Sequence, residues 1–158
     1  MYYDYFETGL IGRLTLVGDE RGLWHVDFPK EKSPLVMQKD WRKNPDFFTS
    51  VKRSLKAYFK GELKRFDMPL NPEGTAFQLS VWNALQNIPY GELASYKDIA
   101  VAIGNPKAVR AVGAANGKNP LPVIIPCHRV VGSDGSLTGF GGGLETKQRL
   151  IELERAHR

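Results

Sequence analysis

Residues 95–117 read SYKDIAVAIGNPKAVRAVGAANG, and this stretch decides the architecture of the chain. Ser95-Tyr96-Lys97-Asp98 caps a first helix that ends at Gly104, because serine and aspartate satisfy free amides at a helix start and glycine accepts the backbone at its end. Asn105-Pro106 then caps a second helix from Lys107 through Val109, Val112 and Ala115 to Asn116-Gly117. Two short helices joined by a turn at Gly104 have the layout of a helix-turn-helix, shared by ordinary helical hairpins and DNA-binding units alike. The second helix is rich in Ala and Gly, so its surface is low and another backbone can approach it closely. It also presents Lys107 and Arg110, and no acidic residue occurs anywhere from 99 to 133. Lys107, Arg110, Lys118 and Arg129 therefore form a positive segment unopposed along the chain, read either as a solvated face or as a polyanion contact.

Working outward, Thr75 with Gln78 forms a capping box that opens a helix carrying Phe77, Val81, Trp82 and Leu85 and stopping near Pro89. After the hairpin, the apolar run LPVII (121–125) delivers Cys127, and GSDGSLTGFGGG (132–143) reads as a flexible loop. A final helix starts near Leu144. At helical pitch Leu144, Leu150 and Ile151 share one stripe, and Glu154 falls in the middle of it. A carboxylate there either finds an interior partner or bends out to solvent near the chain end. Toward the amino terminus, YYDYFET, IGRLTLVG and GLWHVDF alternate like an antiparallel meander of three strands. Asn44-Pro45 then starts a helix whose Phe48, Val51, Leu55, Tyr58 and Phe59 cover the sheet, and FDMPLNP (66–72) reads as one more short strand and a boundary. The expectation is an α/β chain of the α+β kind: a small sheet-plus-helix domain over 1–72 and a mostly helical domain over 73–158.

Composition narrows the function. The chain has 158 residues with 42% hydrophobic and 25% charged content, enough for a real core in one domain or two small ones. A single cysteine cannot make an internal disulfide, and residues 1–12 carry neither a basic start nor an apolar run, so a reducing, cytoplasmic setting is expected. Apolar runs fall far short of the ~20 residues that span a bilayer, so no membrane partner is expected. One cysteine and three scattered histidines argue against a structural zinc site. The net charge of +5 points weakly toward a polyanion.

That one cysteine sits in IPCHRV (125–130). A lone cysteine is either a small buried hydrophobe or a nucleophile. Here His128, Arg129 and an interior Glu154 are expected to lower the thiol pKa, with Cys127 as nucleophile, His128 as base and Glu154 as the group that orients the base.

IPCHRVVG, preceded by SYKDIAVAIGNPKAVRAVGAANGKNPLPVI and followed by LTGFGGGLETKQRLIELE, closely resembles the O6-alkylguanine-DNA alkyltransferases over residues 75–154. The amino-terminal part resembles that family's RNase H-like domain more loosely. The resemblance implies DNA repair by stoichiometric transfer of an alkyl group from O6-alkylguanine to Cys127 after base flipping, with O4-alkylthymine a further substrate class. It implies His128 acting through a water and held by Glu154, Asn119 supporting the active-site loop, and Tyr96 beside the flipped base. Arg110 resembles the finger that fills the vacated stack from the minor groove. Lys107, Ala111, Gly113, Ala114 and Arg129 are expected to meet DNA. The pocket is expected from Phe140, Gly141 and Val130, with the carbonyls of Cys127 and Val130 reading the guanine amino group. Phe140-Gly141 replaces the tyrosine-serine pair of some relatives. The implied partner is double-stranded DNA, bound by a monomer with scope for cooperative assembly, without cofactor or metal. Competing readings are a cysteine hydrolase built on Cys127 and His128, a plain DNA-binding regulator, and the non-catalytic alkylated-DNA binders, which carry tryptophan where this chain has Cys127.

Overall fold

A computed structural model describes residues 1–29, 31 and 34–158. The amino-terminal sheet contains β1 (Tyr2–Glu7), β2 (Arg13–Asp19), β3 (Gly22–Asp27) and β4 (Arg42–Lys43) in the order β3-β2-β1-β4. The first three form the expected meander, with Phe6 opposite Leu14 and Leu16 opposite Val26. Period-2 alternation turns Leu14, Leu16 and Val26 to one face, where all three are buried. Asp19 and Gly22 close the β2–β3 turn, and the Asp19 carboxylate accepts from the Arg21 amide at 2.9 Å. The short β4, parallel to β1, is an addition to the sequence reading. Conversely, FDMPLNP forms no strand and makes only a single bridge between Leu70 and Leu23. Its prolines lack the amides a ladder requires.

Asn44 caps a 3₁₀ turn, Pro45–Phe48, and α1 (Thr49–Phe59) follows. Phe48, Leu55 and Tyr58 are fully buried in the core, and Lys52 pairs with the buried Asp4 of β1. The second half holds α2 (Ala76–Leu85), α3 (Tyr96–Ala102), α4 (Val109–Gly117) and α5 (Leu144–Ala156). Two of the three N-caps expected in this half are present: Thr75 and Gln78 make reciprocal bonds at α2, as do Ser95 and Asp98 at α3. Gly104 takes the left-handed conformation at φ +77°, which turns the chain between α3 and α4. Helix α4 starts later than expected, at Val109 with Ala108 at its N-cap and no side-chain cap. The Ala108 amide bonds to the Asn105 carbonyl, so residues 105–108 form a turn ahead of the helix.

One apolar cluster runs through both halves, from Leu14 and Leu55 to Leu121, Ile125 and Leu150. Contacts between the halves fix the segment before Cys127: the Val26 amide bonds to the Pro120 carbonyl at 2.8 Å. The strand pair β5 (Ala94–Ser95) and β6 (Val130–Val131) ties the start of α3 to the residues just after the cysteine. No helix among the described residues is long and apolar enough to cross a membrane.

Candidate functional site

Residues 120–126 carry the chain from α4 to the cysteine in an unusual conformation. Val123 is buried at φ 74°, in the left-handed region that β-branched residues avoid. Such strain costs on the order of 1–3 kcal/mol and persists where the surroundings over-determine it. Asn119 provides that constraint. Its Nδ2 donates to the Ile125 carbonyl at 2.8 Å and its Oδ1 accepts from the Leu121 amide at 3.0 Å, so one side chain clips both ends of the loop.

Cys127 opens a 3₁₀ turn, Cys127–Arg129, and both Cys127 and His128 are buried. A 3₁₀ turn sends successive side chains in different directions. Cys127 faces a small cavity of about 20 Å³ whose lining includes Asn116, Asn119, Pro122, Phe140 and the amino-terminal Phe28 and Glu31. A groove of about 510 Å³ shares Asn119, Phe140, Gly141 and Pro122 with that cavity and opens to the surface past His25 and Lys118. Phe140 packs against Phe28 with ring centroids 5.5 Å apart. At Gly142 a Cβ atom would lie 2.5 Å from Phe28 Cδ2, so the loop approaches that ring as only glycine allows.

His128 points the other way, into a network centred on Glu154. The Glu154 carboxylate accepts from His128 Nε2 at 2.6 Å, Tyr58 Oη at 2.6 Å, the Gly91 amide at 3.1 Å, and Arg129 Nε at 2.8 Å and Nη2 at 3.1 Å. Burial alone would push this carboxyl up, but the bonds and charges of His128 and Arg129 hold it well below the usual range. Burial lowers the His128 pKa, only partly countered by Glu154, so the ring is neutral near pH 7. A neutral ring that donates from Nε2 to a carboxylate carries its lone pair on Nδ1, which is buried with no partner among the described residues. The network thus leaves an acceptor nitrogen on the residue beside the thiol.

Two expectations need correction. Arg129 does not lie on a DNA-facing surface: its guanidinium is interior, bonded to Glu154 and, through Nη1, to the Ile88 carbonyl at 2.6 Å. The acid-free run from 99 to 133 misled here, because the opposing acid lies 25 residues further on. Nor does the setting lower the thiol pKa. Burial pushes Cys127 up to about 11, against smaller opposite effects from Asn119 and Lys147. Alkylation by iodoacetamide is therefore expected to be slow at pH 7.5 and to climb about tenfold per pH unit toward an inflection near 11. A plateau near pH 8.5, the ordinary thiol value, would contradict this reading of the buried site.

Other expected residues occupy a separate layer. Arg110, Lys107, Ala111 and Ala114 are exposed on α4 and the turn before it. Gly113 lies under Tyr96, whose ring would be 3.8 Å from a Cβ there. Tyr96 Oη donates to the Thr138 carbonyl at 3.2 Å and accepts from the Thr138 hydroxyl at 3.0 Å, which joins α3 to the glycine-rich loop. Val130 is buried in β6 beside Ala94.

Three contributors escaped the sequence reading. Tyr58 reaches Glu154 from the other half of the chain. Gly91 adds a backbone amide. Lys147 is buried in α5, donates to the Thr138 carbonyl at 2.9 Å and lies near the Tyr96 ring. The apolar stripe of α5 was the available signal for Lys147, since it precedes Ile151 by one turn and Glu154 by two.

Residues 1–72 match the ribonuclease-like domain, and residues 76–156 the DNA binding domain, of 6-O-methylguanine DNA methyltransferase. The methylated-DNA–protein-cysteine methyltransferase of Methanosarcina barkeri is 55% identical over 98% of this chain and 97% of its own length. Its Haemophilus influenzae counterpart is 48% identical over 98% of this chain and 87% of its own. The crystal structure of Mycobacterium tuberculosis OGT in complex with DNA superposes with a TM-score of 0.92 at 45% identity, covering 99% of this chain and 94% of that one. On these matches and this fold, the chain belongs to the 6-O-methylguanine DNA methyltransferase family.

Proposed function

We propose that the protein repairs DNA by moving the methyl group of O6-methylguanine onto Cys127. The observation that carries this reading is the single buried thiol, set in a cavity at the foot of an open groove, with the neutral His128 and its Glu154 anchor directly behind it. The methylated oxygen is out of reach inside a duplex, so the nucleotide must be rotated out, at a cost of a few kcal/mol. Arg110, exposed on α4, offsets part of that cost by occupying the vacated stack. The small residues Ala111 and Ala114 let α4 lie along the minor groove and hold backbone without reading sequence.

In the transfer step the Sγ–CH₃ bond forms as the O6–CH₃ bond breaks. A thiol held near pKa 11 is a poor nucleophile, so its proton passes toward His128 Nδ1 as the bond forms, through a bridging water. The departing guanine takes up the proton that the thiol gave to His128, relayed by water, and Tyr96 donates to it once its hydroxyl turns from the Thr138 carbonyl. The sum is thiol plus methylated base giving thioether plus guanine. A thioether has no hydrolytic route back to a thiol, so each chain acts once and without cofactor. The amino-terminal domain over 1–72 and the acceptor domain over 73–158 act together, because Tyr58 and Phe28 of the first complete the network and the pocket of the second.

Methyl transfer from duplex O6-methylguanine is expected to saturate at one group per chain, whereas repeated turnover on an ester or amide would favour a cysteine hydrolase. Arg110→Ala is expected to slow duplex repair about a hundredfold and to leave the reaction with free O6-methylguanine base within about threefold, as loss of a flipping group requires. Equal losses on both substrates would remove Arg110 from that role.

A further inference from the structure

The cavity at Cys127 measures about 20 Å³, room for one water-sized or methyl-sized group and little more. A larger O6 substituent keeps its first carbon against Sγ, so the remainder must leave through the wall that the cavity shares with the open groove. Glu31, Gly117, Asn119, Pro122, Phe140 and Gly141 line both spaces and mark the passage between them. Among the described residues, Glu31 is the only charged side chain in the cavity lining. Lys118 and the His25–Asp27 pair line the groove but not the cavity, and Lys147 donates to the Thr138 carbonyl.

Glu31 is half-buried, and its carboxylate rests against the glycine-rich loop. A Cβ atom at Gly141 would overlap Oε1, so only glycine there leaves the carboxylate room. Its charge also reaches the reacting atom: burial dominates the raised pKa of Cys127, and Glu31 adds to it. We propose that Glu31 is a specificity-determining residue for the alkyl group, whose carboxylate at the exit from the Cys127 cavity disfavours substituents with a negative charge beside the reacting carbon and admits neutral ones of the same size. This rests on the reading that a flipped O6-alkylguanine brings its alkyl carbon to Cys127. The transfer itself is unchanged: Sγ bonds to the carbon attached to O6 as the O6–C bond breaks, and the thiol proton passes by way of His128 to the departing guanine. The difference lies in the field that the rest of the substituent meets. Two like charges a few ångströms apart repel far more strongly in a site shielded from water than in bulk solvent, and such repulsion is a direct way to reject one ligand in favour of its neutral counterpart. The amino-terminal half thereby takes part in choosing the adduct that the thiol of the other half removes.

The test compares duplexes carrying O6-carboxymethylguanine and O6-carbamoylmethylguanine, which match in shape and in the carbonyl beside the reacting carbon but differ by one charge. The rate of group transfer to Cys127 is measured for each with the full chain in excess. The unaltered chain is expected to favour the carbamoylmethyl lesion by at least about tenfold. Glu31→Gln, which keeps the shape without the charge, is expected to shrink that preference by about fivefold or more, by gaining on the carboxymethyl lesion. Glu31→Lys is expected to reverse the preference, and Glu31→Ala repeats the glutamine test should the glutamine variant fail to fold. An unchanged ratio in the glutamine or alanine variant, a ratio near one in the unaltered chain, or a chain that takes methyl but neither larger group would overturn the role of Glu31 alone. Absence of transfer from O6-methylguanine as well would instead overturn the reading of the site on which it rests.

Discussion

Cys127→Ala is expected to abolish methyl transfer completely while leaving affinity for duplex DNA within about twofold of the parent. No other thiol exists in the chain to take over, since Cys127 is its only cysteine. The proposed DNA-facing groups, Arg110, Lys107, Ala111 and Ala114, are exposed on α4 and its preceding turn, whereas the Asn119 side chain holds the loop before Cys127. The change removes one buried sulfur from a cavity already near 20 Å³, so the fold is expected to lose only about 1 kcal/mol. Binding measured by fluorescence anisotropy, beside transfer measured with labelled methyl groups, separates the two effects. Residual transfer would show that another side chain accepts the group. A large loss of affinity would show that the thiol region itself holds the DNA.

Glu154→Gln is expected to damage both stability and rate. Five donors converge on the two carboxylate oxygens, and an amide replaces one of those oxygens with a donor. Arg129 then stays buried without a counter-charge, a situation that costs about 3–5 kcal/mol and, at this chain length, lowers Tm by roughly 6–20 °C. His128 loses the partner that fixes its tautomer, and transfer is expected to fall by about a hundredfold or more at temperatures where the variant is folded. The pH dependence separates a positioning role from simple loss of structure. Because the folded carboxyl is held below its ordinary value of 4.5, its contribution is fully present above that pH and drains away as pH falls through 4.5 and below. The glutamine variant is expected to lack this component of acid unfolding and to keep a flatter stability curve between pH 5 and 3. An identical acid profile in both proteins would show that Glu154 does not carry the buried charge network.

These two residues mark how far the sequence could be read. The caps at Thr75 and Ser95, the left-handed turn at Gly104 and the stripe that turns Glu154 inward are local, and local rules locate them. The partners of Glu154 are not local. Tyr58 lies 96 residues away and Gly91 lies 63 away, and no periodicity within a helix or strand encodes such a pairing. Arg129 shows the same limit from the other side: charge counted along the chain made it surplus, whereas the fold brings it to the one acid that neutralises it. The two-residue strand β4 is too short for a pattern. The thiol pKa was read in the wrong direction because nearby charged residues are visible in a sequence and desolvation is not. Lys147 had a visible position on its helix but no visible chemistry, since its partner, the Thr138 carbonyl, lies on a loop that only the fold brings to it.

The central claim is that Cys127 itself is consumed. Incubating the full chain with a slight excess of duplex carrying one O6-methylguanine, digesting it, and weighing the peptide that contains Cys127 tests this most directly. The account predicts that this peptide gains one methyl group, about 14 mass units, in step with loss of the lesion, and stops at one per chain. A lesion that disappears while the Cys127 peptide keeps its original mass would contradict it.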